Sequence, residues 1–433
     1  MYQRMTAIFL VLLLLLSGCS AAPQPEEQAV AEVQPETNPE IQTETVPAAK
    51  PEAQPKPELP EALPLISAPD PITFTGRTEE EIFRREIAEK RQKSRELSES
   101  IGAEFASYTN DFHVAKNAIF YEGIAKGASA KGFLRRDFGT DNDATVLLEG
   151  MDELLGTADH LLFFLIKEEK DYRLAMLDGN NGWARTELGT FNGNSISDYR
   201  GFVYGNYAVL FCPSGRLVVE LSAQKATYTA EQYLTPVFCR EGKNLCYTVY
   251  GTDGSLELRR CDLSNGETEL LARFSRDHYP RAIEYYNGKI GLLTSCHGEY
   301  TGALYSTDPE AKTTKLLQVF EMANGHYSSC GLWGGTAYIS YLKNGLSYGF
   351  MTVDYLQSKV TMDQDRDVTF VYSNAYGLVY SDEDKREIRF LNRTEDLNFE
   401  RPVLCDFGQV FLGPEGLFIN GYINVALQDG KWQ

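Results

Sequence analysis

From about residue 110 to the C-terminus, apolar and polar residues alternate in short runs rich in Tyr, Phe, Val and Leu, broken by Gly, Asn and Asp. A period of two reads as β-strands joined by tight turns. The runs also recur. An apolar residue followed four positions later by Asp or Asn occurs at Phe133/Asp137, Leu174/Asp178, Leu258/Asp262, Leu304/Asp308, Phe350/Asp354, Ile388/Asn392 and Val425/Asp429, with Leu217/Leu221 in the matching slot without the acid. These markers are on average about 42 residues apart, the length of a unit of four short strands. The predicted fold is all-β: a β-propeller of eight four-stranded blades, with seven as the alternative. In the clearest unit, strands a to d run from Val237 to Arg240, Leu245 to Tyr250, Leu256 to Asp262 and Glu269 to Phe274. The Asp that ends strand c is a turn former, because its carboxylate can bond nearby backbone amides. The last unit is cut short at Trp432-Gln433, so its outer strand is expected from the N-terminal side, either Ile72 to Thr75 or Phe105 to Tyr108.

Before residue 110 the pattern differs. Thr78-Glu79-Glu80-Glu81 can cap a helix running to about Ile101, where Gly102 ends it. Its apolar positions are few and its middle is charged, which predicts a solvated stalk rather than a coiled coil. Residues 20 to 71 hold twelve of the eighteen prolines, mixed with Glu, Gln and Ala. Such a segment buries too little apolar area to fold and is expected to act as an extended, disordered spacer. At the start, an apolar run from Ala7 to Leu16 follows the single charge of Arg4. It is too short for a mature membrane span and reads as an export signal. The expected divisions are 1–18 signal peptide, 19–71 spacer, 72–105 short strand and charged helix, and 106–433 propeller.

Leu16-Ser17-Gly18-Cys19 resembles the lipobox of bacterial lipoproteins. The resemblance implies cleavage before Cys19, acylation of that residue, and a mature chain tethered by lipid to the extracytoplasmic face of the cell membrane. The repeat pattern over roughly residues 106 to 433 resembles the TolB-like and YWTD-like propellers of bacterial surface lipoproteins. The Gly-His and Trp-Asp marks of WD repeats do not recur in it. The resemblance implies architecture and says little about function.

Charge narrows the partners. The formal net charge is −20, and residues 21 to 71 carry ten acidic and two basic side chains. An acidic surface repels phosphate backbones, so nucleic acid is not expected as a partner. A protein, peptide or carbohydrate ligand is expected instead. Eight cysteines leave seven after lipidation of Cys19, with no C-x-x-C spacing, and buried free thiols on strands are expected.

Motifs for catalysis fail on context. Gly345-Leu346-Ser347-Tyr348-Gly349 matches G-x-S-x-G, but a nucleophile elbow needs a helix after the turn and this motif lies between two strands. Asp363, Asp365 and Asp367 alternate like a calcium loop, yet Val368 stands where the loop needs Gly. One cluster carries more. His278 and Tyr279 precede strand a of the fifth unit, Cys296, His297, Glu299 and Tyr300 lie in its b–c turn, and His326 and Tyr327 precede strand a of the sixth. In a propeller the d–a and b–c connections share a face, so His278, His297 and His326 are expected to converge there. Imidazoles beside a carboxylate can bind a transition metal, and some TolB-like propellers are polysaccharide lyases with a His-rich metal site. Tyrosines in the same loops suit sugar or peptide. No complete set of acid, base and nucleophile is present, and no cofactor is called for. The expectation is therefore a non-catalytic binding module whose ligand contacts are His278, Tyr279, His297, Glu299, Tyr300, His326 and Tyr327. A lyase-like carbohydrate-active enzyme using the histidines, and an envelope assembly scaffold, are the alternatives.

Overall fold

A computed structural model of the chain describes residues 63–72 and 112–432, the latter without 124–131, 140–144, 147–150, 170, 194–198, 232–236, 298–300, 323–329, 344–346, 367, 369, 383–384, 386, 393–395, 401–409, 420–422 and 429–430. The export signal, Cys19, the helix expected from Glu79 and Cys405 lie outside these residues.

The strands form eight antiparallel four-stranded units in sequence order: blade 1 (112–146), blade 2 (153–191), blade 3 (199–230), blade 4 (238–274), blade 5 (278–321), blade 6 (330–364), blade 7 (370–400) and blade 8 (410–432). The fold is an eight-bladed propeller, which settles the choice between seven and eight. The recurrent markers end strand c in every blade, at Gly132–Asp137, Asp171–Asp178, Gly215–Glu220, Leu256–Asp262, Thr301–Asp308, Ser347–Asp354, Glu387–Leu391 and Ile423–Gln428, within one residue of each predicted position. Their carboxylates form the expected turns. Asp178 accepts the Asn180 amide at 2.8 Å, Asp262 that of Ser264 at 2.9 Å, and Asp354 those of Leu356 and Gln357 at 2.9 Å.

Strand alternation places the core between blades. On strand b of blade 3 (Tyr207–Cys212), Ala208, Leu210 and Cys212 pack toward blade 2, while Val209 and Phe211 pack toward blade 4. Blades 4 and 5 share Leu256, Leu258, Phe274, Leu292 and Tyr305, and blades 5 and 6 share Leu293, Phe320, Ile339 and Tyr355. Both faces of each central strand are therefore apolar, as in any doubly covered sheet. Blades 2 and 3 are fused further: their inner strands, Glu153–Ala158 and Tyr199–Tyr204, pair in parallel with Gly156 opposite Tyr199. A Cβ on Gly156 would strike the Tyr199 carbonyl, so this approach requires glycine. The ring closes where Phe138 of blade 1 covers Gly416 of blade 8.

Two expectations need correction. Blade 8 supplies its own outer strand, Lys431–Trp432, paired with Leu427 and Gln428. And residues 63–71, the end of the expected spacer, take part in the fold. Leu65–Ile66 adds a fifth strand, in parallel, to the outer edge of blade 4, with Leu65 opposite Arg273 and Ile66 opposite Phe274. The Ser275 amide donates to the Ile66 carbonyl at 2.8 Å, while Ile66 and Ala68 pack on the apolar cluster between blades 4 and 5. Composition alone describes this stretch as spacer, but an open sheet edge offers it backbone partners.

Candidate functional site on the face of blades 4 to 6

The b–c and d–a connections of blades 4 and 5 meet at one end of the ring. Strand a of blade 5 is longer than predicted and begins at His278 (His278–Tyr286), so His278 pairs with Cys296 rather than preceding the strand. His278 is fully buried. Its Nδ1 lies 3.2 Å from both the carbonyl and the hydroxyl oxygen of Ser275. Its Nε2 shares a hydrogen bond with the Tyr305 hydroxyl at 2.8 Å. Burial pushes its pKa down and favours the neutral ring. His278 is a core histidine under the face, with both ring nitrogens engaged by Ser275 and Tyr305.

His297 adopts a left-handed turn conformation with φ 51°. Its amide donates to Asp277, joining the two connections, and its Nε2 donates to the Pro69 carbonyl at 2.9 Å. The adjacent Ile72 amide donates to Thr301 Oγ1 at 3.1 Å. The N-terminal segment thus crosses the b–c turn that was expected to be open. Glu299, Tyr300, His326 and Tyr327 lie outside the described residues. Of the predicted contacts, the structure brings His278, Tyr279 and His297 together, and among the described residues no three His, Cys, Asp or Glu side chains are arranged to hold a metal.

Tyr279 is 42% exposed, and His297 is exposed as well. Beside it, the pairing of strands a and b slips at Pro280/Ala282, and the bulged residue is Arg281. A bulge leaves one residue out of the ladder and re-aims its side chain. Arg281 Nε donates to the buried Ser295 Oγ at 2.9 Å, which fixes the guanidinium at this end of strand a. Its charge reaches the Tyr250 hydroxyl on blade 4 and the Cys330 thiol on blade 6, so it sits where three blades meet. Tyr250 donates to the His278 carbonyl at 3.0 Å, and burial pushes its pKa up to about 12. Burial likewise raises Cys296 to about 11 and Cys330 to about 12, so neither thiol is ionised near neutral pH. Ser347 opens a strand rather than a helix, which removes the elbow.

The opposite end of the ring is tied across its axis. Asp159, in the a–b turn of blade 2, accepts the Val203 amide of blade 3 at 2.7 Å and the Tyr376 hydroxyl of blade 7 at 2.8 Å. Its carbonyl accepts the Lys116 amide of blade 1 at 2.8 Å, and Arg240 of blade 4 donates to the Val203 carbonyl at 2.7 Å. Five blades are joined through this cluster, and burial beside the Asp159 charge holds the Tyr376 hydroxyl protonated. Sequence reading missed both Arg281 and Asp159. Pro280 inside an inner strand was the available hint of a bulge; Asp159 carries none.

No protein-family model matches the chain, and neither does any curated protein sequence. Among solved structures, the chain is similar to an oligogalacturonate lyase in complex with manganese, with TM-score 0.41 and 14% identity over 74% of this chain and 96% of that one. It is also similar to Porphyromonas gingivalis dipeptidyl peptidase 4, with TM-score 0.42 and 11% identity over 68% of this chain and 54% of that one. A prolyl endopeptidase gives TM-score 0.39 and 13% identity over 82% of this chain and 55% of that one. The chain spans about half the length of the two peptidases. The propeller architecture rests on the chain's own sheet order.

Proposed function

We propose that this protein is a lipid-anchored, extracytoplasmic propeller that binds a ligand or partner protein without chemistry, on the face where blades 4 to 6 meet. The observation that carries the binding reading is Arg281, set out of its ladder by a bulge, fixed by Ser295 and flanked by the exposed ring of Tyr279. A fixed guanidinium beside an aromatic face suits a carboxylate-bearing sugar or peptide. The cross-axis bonds of Asp159 support an approach from this face rather than the opposite one. The lyase alternative asks His278 and His297 for metal-binding nitrogens; both ring nitrogens of His278 are engaged, and His297 keeps only Nδ1.

Location and binding are tested separately. Cys19→Ala is expected to abolish metabolic fatty-acid labelling and to leave the precursor uncleaved or release the chain from the membrane. Labelling that persists in the variant refutes the anchor. For binding, the purified chain is titrated with uronic-acid oligosaccharides and acidic peptides. Arg281→Ala should weaken the best binder by at least about tenfold with little change in melting temperature. Equal affinity of the variant and the parent refutes the site.

A further inference from the structure

We propose that Cys239 and Cys246 are a disulfide site that staples the inner hairpin of blade 4. The two residues are direct cross-strand partners between Phe238–Glu241 and Asn244–Tyr250. Directly opposed residues of an antiparallel pair have Cα atoms about 4.5–5.5 Å apart, inside the window of roughly 4.4–6.8 Å that a disulfide spans. Both side chains leave the sheet on the same side, against the apolar cluster between blades 4 and 5. The tight turn holds the register: Gly242 takes φ 57° and Glu241 pairs with Asn244 directly across it. No other described cysteine stands opposite either of them: Cys296, which packs in the same cluster, pairs with His278 and Thr301. Cys261 packs on the opposite face of blade 4, Cys212 packs toward blade 2 from blade 3, and Cys296 and Cys330 belong to blades 5 and 6.

Both thiols are free here, so the bond requires an oxidant, which we take to be a low-molecular-weight disulfide, RS–SR. The thiolate of half-buried Cys239 attacks one sulfur, the S–S bond breaks, and RS⁻ leaves and takes up a proton. The Cys246 thiolate then attacks the Cys239 sulfur of the mixed disulfide and expels the second RSH. Two protein S–H bonds and one S–S bond are consumed, one protein S–S bond and two RSH are formed, and two electrons pass to the oxidant. Burial raises the Cys239 thiol above its ordinary pKa, so reaction should be slow at neutral pH and faster in mild alkali. Only the natural supply of oxidant rests on the proposed extracytoplasmic location; the bond itself is tested on the purified chain.

Trypsin cuts after Arg240 and Lys243, both between the two cysteines, so their peptides stay joined only through a disulfide. After incubation with oxidised glutathione at mildly alkaline pH, alkylation and digestion, a linked Cys239–Cys246 peptide pair is expected, lighter by two hydrogens than the summed free peptides and split by reductant. Cys246→Ser should instead yield a glutathione adduct on Cys239; Cys239→Ser, at the less buried partner, should yield no linked pair. Recovery of both cysteines as alkylated thiols, as two separate adducts, or joined to any other cysteine overturns the proposal.

Discussion

Asp159→Ala is expected to destabilise the ring by about 2–4 kcal/mol, since it strips a charged acceptor from two donors at once. The Val203 amide and the Tyr376 hydroxyl lose their partner at the closed end of the ring. The backbone contributes too, because Asp159 sits at φ 48°, where a Cβ without a local hydrogen bond is strained. Two further variants separate these causes. Asp159→Gly relieves the backbone but not the lost bonds, so it should recover only part of the loss. Asp159→Asn tolerates the left-handed turn and keeps an acceptor for Val203, so it should be the mildest. Chemical denaturation of the four proteins checks the order. An Ala variant as stable as the parent would mean that the cross-axis bonds contribute nothing.

Stability is also expected to fall between pH 7 and pH 5, before the carboxylates begin to titrate. His113, on the inner strand of blade 1 (Phe112–Ala115), is 8% exposed, and among the described residues no hydrogen-bond partner reaches its Nε2. Burial, aided by the charge of Arg200, lowers its pKa from 6.5 to about 4. The unfolded chain therefore takes up a proton below pH 6.5 that the folded chain refuses until about pH 4. The stabilisation from the neutral ring is complete above pH 6.5 and is lost across that window as pH falls, on the order of 2 kcal/mol by pH 5. His278 shifts the same way and adds to the slope. Asp262, held down to about 2 by Lys243 and Ser264, loses its contribution only at still lower pH. His113→Phe should flatten the slope between pH 7 and 5 and gain stability at pH 5, because an unpartnered ring nitrogen is replaced by carbon. Melting curves with the same pH dependence in both proteins would refute this assignment.

The propeller was legible because seven of its eight units carry, at the end of strand c, an Asp or Asn whose side chain can make the turn. The site was legible only in outline. The histidines were expected to converge in loops on one face, yet His278 lies in a strand with Tyr305 and Ser275 against its two ring nitrogens. Arg281 depends on a register slip, and a slip is decided by pairing across strands rather than by the local sequence. Asp159 bonds to residues 44 and 217 positions away, so its role exists only in the closed ring. Leu65 and Ile66 show the same limit, since a two-residue strand has no period to detect.

That two-residue strand also decides how the molecule bears a load. A pull on the chain from before residue 63 reaches the ring at the rim of blade 4, off the axis, so it turns the ring as well as drawing it. The ladder to Arg273 and Phe274, the seat of Ile66 and Ala68, and the bonds from Pro69 to His297 and from Ile72 to Thr301 take the strain in succession. None of them lies within a blade. The attachment can peel away like a mechanical fuse while all eight blades keep their shape.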